Sequence, residues 1–169
     1  MKLGLLAGVF SGLSFDELLP RLRDEGLDAV ELAGGGWPGT PHVDPVRAAH
    51  DPAYAETIRD ALEAHGLELS ALAVHGNPLH PRREAAGADD ADLRAAIRGA
   101  RALGTRTITC FSGCPGTPEG GGTPNWVTCP WPRELAALLA WQWEDVAVPY
   151  WREIAALPRT WLEPASDPF

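Results

Sequence analysis

The chain repeats one short pattern three times, in which a helix ends, a glycine follows and an apolar strand begins. The three glycines are Gly26, Gly66 and Gly104. Glycine in this place supplies the left-handed residue that commonly ends a helix. A strand-helix unit that recurs in this way needs crossover connections, so it predicts a parallel sheet with right-handed crossovers. The predicted fold class is α/β, with about four βα units.

Hydrophobic runs predict four strands, at residues 2–10, 28–32, 67–75 and 105–111. The third run is apolar on both faces, as expected of a strand buried in a parallel sheet. The fourth is rich in β-branched residues, which favour strands. The long connection at residues 33–50 is rich in Gly and Pro. Its glycines, Gly34 to Gly36, are interpreted as a flexible loop, because no helix follows them directly and the dinucleotide-binding spacing is absent.

Helix starts are predicted from capping signals. Ser14 and Glu17 form a capping box, and Asp51 is followed by Pro52, which is tolerated in a first turn. A third helix is expected to start near Asp89 or Asp90. The fourth is expected from residue 132 to about 156, with an interruption at Pro149. Residues 1–156 are thus predicted to form the folded part, and residues 157–169, with three prolines and no period, an irregular tail.

Composition restricts the class of protein. A chain of 169 residues with 45% hydrophobic residues is long enough for one domain with a core. No run of about 18 apolar residues exists, so no membrane span is expected. Three cysteines without a secretory signal indicate reduced thiols and a cytoplasmic location. The net charge of −9 argues against tight nucleic-acid binding, which needs clustered Lys and Arg.

Four βα units are half of an eight-unit barrel, which takes about 250 residues. Half a barrel would leave its first and fourth strands as open edges. Three arrangements are consistent with this count. The chain pairs with another copy as a homodimer, forms an open four-stranded sheet, or is a fragment of a longer protein.

Several segments resemble the xylose isomerase-like barrel family of sugar-phosphate isomerases and epimerases. They are VELAGGG in the second unit, AVHGNPLHP in the third, and ITCFSGCPG with PNWVTCPWP in the fourth. The resemblance covers residue 2 to about 156. It implies an eight-unit barrel that uses a divalent metal (Mn, Mg, Zn or Co) and acidic residues to move a proton between neighbouring sugar carbons. The family's metal ligands lie mostly on strands five to eight, which follow the four units seen here.

Two candidate site residues lie on predicted strands. Alternation in DAVEL places Glu31 on the face opposite Val30 and Leu32, near the expected carboxyl end of strand two. It is a candidate for substrate binding, with pairing to a loop arginine as the alternative. His75 ends strand three, where parallel α/β proteins place their sites. A neutral imidazole there can hydrogen-bond a sugar hydroxyl or bind a metal, so His75 is also the candidate metal ligand.

Four further candidates for substrate binding lie in loops. Asn77 follows His75, and Ser112, Asn125 and Trp126 belong to the long loop after strand four. Loops of this length inside a domain are usually functional, often as lids. Trp126 is expected either to stack on a sugar ring or to pack beneath the loop. No catalytic residue is assigned, and a zinc site at Cys110, Cys114 and Cys129 is disfavoured because the spacing fits no zinc motif well.

The sequence therefore predicts a sugar (phosphate) isomerase or epimerase that moves a proton next to a carbonyl with metal assistance, in a shortened form. One alternative is a non-catalytic half-barrel that dimerises or is a remnant. A second is an apurinic-site endonuclease-like phosphodiesterase, against which the acidic charge speaks. The expected partner is a small sugar or sugar phosphate.

Overall fold

The computed structural model describes residues 1–161, with side chains to Leu157. Strands and helices alternate along the chain, joined by a 3₁₀-helix at Ala7–Phe10 and a π-helix at Gln142–Ala147. The strands are β1 (Gly4–Leu6), β2 (Ala29–Gly36), β3 (Glu68–His75) and β4 (Ile108–Cys110). The helices are α1 (Phe15–Asp24), α2 (Pro45–His50), α3 (Pro52–Ala64), α4 (Arg83–Ala102), α5 (Arg133–Trp141) and α6 (Val148–Trp161).

The four strands form one parallel sheet in the order β1-β2-β3-β4. This order confirms the predicted parallel sheet of successive βα units. On one face of the sheet, Val30, Leu32 and Leu72 are completely buried. Gly34, on this same face of β2, lies against Pro45 of α2 and Ala96 of α4. The large apolar side chains of the sheet therefore pack on its helix-covered face, whereas the buried residues of the other face are small, such as Ala33 and Ala73.

The predicted helix signals are present in the structure. Ser14 and Glu17 form the capping box of α1. The Asp51 carboxylate accepts a hydrogen bond from the Tyr54 backbone N–H at the start of α3. The short helix α2 begins with the same Asp-Pro signature at Asp44, so the prediction of a loop for this stretch is wrong. All three repeat glycines have positive φ, as predicted.

Strand boundaries differ from the predictions in both directions. β1 stops at Leu6, because it pairs only with β2 and that pairing covers three residues. β2 instead extends to Gly36, so the glycines predicted to be a flexible loop belong to the strand. A register shift between Ala33 and Gly35 lets the strand carry these residues. β4 begins late, because the Thr105 hydroxyl oxygen accepts from the Thr107 backbone N–H before regular pairing starts.

The later helices also start and stop elsewhere. α4 begins at Arg83, so Asp89 and Asp90 lie inside it and do not cap it. The chain passes Pro149 without stopping, because the preceding π-helix makes the wider bond from the Val148 N–H to the Trp143 carbonyl. α6 then runs to Trp161, into the segment expected to be an irregular tail. The rest of that predicted tail, residues 162–169, lies outside the described residues.

The described chain divides into two compact units. The sheet unit comprises Met1–Gly76 and Ala91–Phe111, and the loop unit comprises Asn77–Asp90 and the chain from Ser112 onward. All four strands lie in the sheet unit, whereas α5, the π-helix and α6 lie in the loop unit. Within residues 1–161, no helix has both the length and the apolar character that crossing a membrane requires.

Candidate functional site

Glu31 lies on the face of the sheet opposite the helices. Its neighbours in β2, Val30 and Leu32, are fully buried on the helix side. Glu31 instead borders a groove of about 350 Å³ on the other face, together with Leu6, Ala29 and Ser70. The Glu31 Oε1 atom is buried and has no hydrogen-bond partner among the described residues. A buried acceptor without a partner costs free energy, so this carboxylate has hydrogen-bonding capacity that the sheet unit leaves unused.

The expected position of Glu31 at the carboxyl end of its strand is wrong. β2 continues for five residues beyond Glu31, and the register pairs Glu31 with Ala71 but Gly36 with His75. Four residues of β3 therefore separate the level of Glu31 from that of His75, or roughly 13 Å at the strand rise. The two side chains lie at different heights on the sheet and do not converge on one small group.

His75 lies at the carboxyl end of β3, as predicted. Its ring stacks on Phe111, with the centroids 4.7 Å apart and the planes inclined by 20°. Phe111 directly follows β4 and is 58% exposed. Among the described residues, neither His75 ring nitrogen makes a hydrogen bond to the protein. The pair presents an imidazole with free polar atoms beside an exposed aromatic ring.

The main chain around His75 is held tightly against the end of β2. The Trp37 backbone N–H donates to the His75 carbonyl at 3.0 Å. Gly36 has a φ of 69°, and a Cβ atom there would lie 2.5 Å from the backbone of His75 and Gly76. The Asp92 carboxylate of α4 accepts from the Gly36 N–H at 2.8 Å. Only glycine fits at position 36, and the contacts of this residue fix the position of the His75 main chain.

Asn77 lies in the loop unit, where its amide joins two loop segments. Its Oδ1 atom accepts from the backbone N–H groups of Leu79 and Cys114, at 3.2 and 2.7 Å. Its Nδ2 atom donates to the Cys114 carbonyl at 3.1 Å. Its own backbone N–H donates to the Asp89 carboxylate at 2.6 Å. These contacts occupy both Oδ1 lone pairs and leave one amide hydrogen without a partner among the described residues.

Trp126 and Asn125 are also occupied within the loop unit. The Trp126 indole N–H donates to the Gly113 carbonyl at 2.6 Å, and its ring lies 5.3 Å from that of Trp143. Asn125 is exposed, and its backbone and side-chain oxygens both accept from the Gln142 amide. The ring contact favours the packing interpretation of Trp126 over the stacking one.

Gln142 organises this loop, although it is not among the residues predicted from the sequence. The side chain is completely buried in the π-helix. Its amide donates to the carbonyls of Gly116 and Asn125 at 2.7 and 3.0 Å, and its oxygen accepts from the Val127 N–H at 2.9 Å. The signal available in the sequence was a single amide between two tryptophans, in WQW, directly after the apolar run LAALLA.

Ser112, the remaining predicted site residue, is exposed at the start of the loop unit. Its backbone carbonyl accepts from the Trp151 indole N–H at 2.8 Å. Its hydroxyl makes only a long contact, 3.5 Å, to the Gly113 carbonyl. The hydroxyl is therefore accessible, whereas the main chain is fixed by α6.

His42 is a buried polar residue that is not among those predicted from the sequence. It is 5% exposed, its Nε2 atom lies 3.2 Å from the Phe10 carbonyl, and its Nδ1 atom is buried without a partner among the described residues. Because the carbonyl only accepts, Nε2 carries the proton in this arrangement. His42 thus ties the connection after β2 to the 3₁₀-helix after β1. No motif around His42 distinguishes it in the sequence.

The described residues do not fit a divalent metal by themselves. No three His, Cys, Asp or Glu side chains within residues 1–161 lie together as ligands, so His75 belongs to no three-ligand group there. The three cysteines are free thiols. Burial raises the pKa of both Cys110 and Cys114, which disfavours the thiolate that binds metal. The unpartnered Glu31 oxygen remains a single donor.

A family model described as a xylose isomerase-like TIM barrel matches residues 19–160. The chain belongs to this family. An uncharacterized protein of Bacillus subtilis (strain 168), YfiH, is 32% identical over 157 residues. The match covers 91% of this chain and 50% of that protein, so the chain spans about half the length of the curated relative. Active sites of TIM barrels lie at the carboxyl ends of the strands, which is where His75 and Phe111 lie.

Proposed function

We propose that this chain forms the substrate-binding wall of a sugar or sugar-phosphate isomerase or epimerase. Family membership supports the reaction class. The observation that carries the proposal is the pair of His75 and Phe111 at the carboxyl end of the sheet, with unused imidazole nitrogens beside an exposed ring. A sugar offers the matching chemistry, because its hydroxyls hydrogen-bond and its C–H faces pack on aromatic rings.

The reaction class transfers a proton next to a carbonyl group. That transfer needs a positioned base and polarisation of the carbonyl oxygen. In the family a divalent metal supplies the polarisation, and the described residues of this chain do not form its site. In this proposal His75 holds a substrate hydroxyl through a ring nitrogen, Phe111 covers the sugar face, and the deeper Glu31 oxygen accepts a hydrogen bond from a group that enters the groove.

Ligand-observed NMR tests the binding part of this proposal. Pentoses, hexoses and their phosphate esters would be mixed with the protein, with and without Mn²⁺, and binding would be read from saturation transfer. His75→Asn should weaken binding about tenfold, the worth of one good hydrogen bond. His50→Asn makes the same change at the exposed end of α2 and should leave binding unchanged.

Deuterium exchange in D₂O tests the chemistry. Loss of the C–H signal next to the carbonyl of a bound sugar, in the presence of Mn²⁺, would support isomerase or epimerase activity. Equal binding by the native protein and by His75→Asn would contradict the assignment of His75 to the substrate-binding wall. Absence of binding for every sugar tried would contradict the substrate class.

A second candidate is a non-catalytic half-barrel. The absence of a three-ligand metal cluster among the described residues favours it. This candidate predicts a folded protein that shows no proton exchange with Mn²⁺, Mg²⁺, Zn²⁺ or Co²⁺. Exchange above the metal-only control would exclude it.

A further inference from the structure

The segments that leave the carboxyl end of the sheet carry no basic side chain within the sheet unit. Residues 7–14 follow β1 and residues 37–44 follow β2, and neither segment contains Lys or Arg. Single residues follow β3 and β4 in this unit, and neither is basic. The first basic residue after β2 is Arg47, whose guanidinium already pairs with Asp51. These segments therefore offer a phosphate group no free side-chain cation.

Three basic residues of the sheet unit lie at the other end of the strands. Lys2, Arg59 and Arg106 line a groove of about 730 Å³ that borders the amino ends of β3 and β4. β3 is eight residues long, so this groove and the carboxyl end of the sheet are roughly 23 Å apart at the strand rise. These three cations do not reach a ligand that lies beside His75.

Backbone N–H groups at helix starts are the other common binding groups for phosphate. At the carboxyl end of this sheet, carboxylates of the chain already accept from them. The Ser14 N–H donates to the Glu17 carboxylate at 2.9 Å, and the Arg47 N–H donates to the Asp44 carboxylate at 3.0 Å. Hydrogen bonds from the Ser14 hydroxyl and N–H hold the pKa of Glu17 below its usual value, so this group stays charged at neutral pH.

The glycine run at the end of β2 is occupied in the same way. The Gly36 N–H donates to the Asp92 carboxylate at 2.8 Å. Gly36 also lies so close to the backbone of His75 and Gly76 that a Cβ atom there would be 2.5 Å from it. A negative charge therefore lies next to the residue that contacts the His75 main chain, and it would repel an anion bound beside His75.

We propose that the wall at His75 takes an uncharged sugar and excludes the phosphate ester of that sugar. The inference rests on the proposed function and narrows its substrate class. A sugar hydroxyl needs only a hydrogen-bonding group, which the His75 ring nitrogens supply. A phosphate monoester carries a charge of about −1.5 to −2, and it would lose hydration beside Asp92 without gaining a cation. The net charge of −9 acts in the same direction at longer range.

Ligand-observed NMR titrations with two matched ligands test the proposal. A hexose and its 6-phosphate would be titrated separately, without divalent metal, because metal ions bind phosphate themselves. The native protein should bind the hexose about tenfold more tightly than the ester, or more. Asp92→Asn keeps an acceptor for the Gly36 N–H and removes the charge, so it should lower the ratio of the two dissociation constants several-fold. Reading a ratio removes any loss of binding that both ligands share.

Asp24→Asn is the matched control, because it makes the same change at the exposed end of α1 and should leave the ratio unchanged. An ester that binds the native protein as tightly as the hexose, or more tightly, would overturn the inference but not the proposed function. Arg82 and Arg83, at the start of α4 in the loop unit, would then be the cations to replace. A ratio that is the same in Asp92→Asn and the native protein would also overturn it, because the discrimination would arise elsewhere. Failure of both ligands and of every other sugar to bind would contradict the proposed function together with this inference.

Discussion

The sheet unit and the loop unit both contain predicted site residues, yet they use them in opposite ways. In the sheet unit, the Glu31 Oε1 atom is buried without a partner, and the His75 nitrogens make no hydrogen bond among the described residues. In the loop unit, Asn77 makes three side-chain hydrogen bonds to backbone groups, and the Trp126 indole N–H is also satisfied. The loop unit keeps the Ser112 hydroxyl accessible, but it uses most of the polar side-chain atoms of Asn77 and Trp126 to bind its own backbone.

This difference shows what separates a binding residue from a structural one when both have the same residue type. An amide or indole in a loop looks like a ligand-binding group in the sequence. In the structure, the loop's own backbone groups need those partners, because a buried N–H or C=O without one costs about 1–3 kcal/mol. A loop with little regular structure consumes its polar side chains, whereas a sheet satisfies its own backbone and leaves them free.

Gly36→Ala should have the largest effect, because the sheet unit positions His75 through its main chain. The new Cβ would lie 2.5 Å from the backbone of His75 and Gly76, at a φ of 69°. Strain and overpacking together should lower the free energy of unfolding by about 4 kcal/mol. Urea unfolding followed by circular dichroism measures this. Gly66→Ala, with a φ of 61° and no atom within 4 Å, should cost about 1 kcal/mol. Equal losses of stability in the two variants would show that the close contact with His75 and Gly76 adds nothing to the cost of the positive φ.

Gln142→Leu should lower the free energy of unfolding of the loop unit by about 3 kcal/mol. The change leaves two carbonyls and the Val127 N–H without their buried partner. Tryptophan fluorescence during urea unfolding reports on this unit through Trp126 and Trp143. Glu144→Ala, an exposed change in the same π-helix, should stay within about 0.5 kcal/mol. A loss of stability in Gln142→Leu as small as that in Glu144→Ala would show that the loop does not depend on the Gln142 amide.

Asn77→Ala should cost about 2 kcal/mol, since it removes the bonds to Leu79 and Cys114. Asn125→Ala is the comparison within the same unit. The Asn125 side chain is exposed and makes only contacts of 3.4 and 3.5 Å, so its loss should cost less than about 0.5 kcal/mol. Thermal unfolding of both variants measures the difference. If Asn125→Ala were the more damaging change, Asn77 would not be the structural amide of the loop.

Local signals in the sequence predicted much of the sheet unit. The capping box at Ser14, the Asp51 cap and the end of β3 at His75 were all correct, because each depends on residues near in sequence. The extension of β2 through Gly36 was missed, since the contacts that allow it come from Asp92 and His75. The height of Glu31 on the sheet was wrong for the same reason. The position of Glu31 along the strand depends on where β2 ends, and a run of glycines does not reveal where a strand ends.

The loop unit was harder to predict for a different reason. Its organising residue, Gln142, bonds to Gly116, Asn125 and Val127, which are 15 to 26 positions away in the sequence. No periodic pattern encodes such pairings. The long loop after strand four was predicted from its length, and its role as a lid stays a prediction. Length does not reveal which of its side chains hydrogen-bond to its own backbone.

Glu31→Gln should have the smallest effect on stability. Whether it stabilises or destabilises the protein shows whether the two units differ in how they use polar side chains. The native carboxylate has one buried oxygen without a partner among residues 1–161, so a neutral amide of the same size removes the charge of a partly buried group without breaking a bond. We expect the free energy of unfolding of the protein to rise by up to about 1 kcal/mol. Glu56→Gln, on the exposed side of α3, corrects for the general effect of losing one charge. A loss of 2 kcal/mol or more relative to that control would mean that Glu31 supports the fold, and the sheet unit would then resemble the loop unit in spending its polar groups on structure.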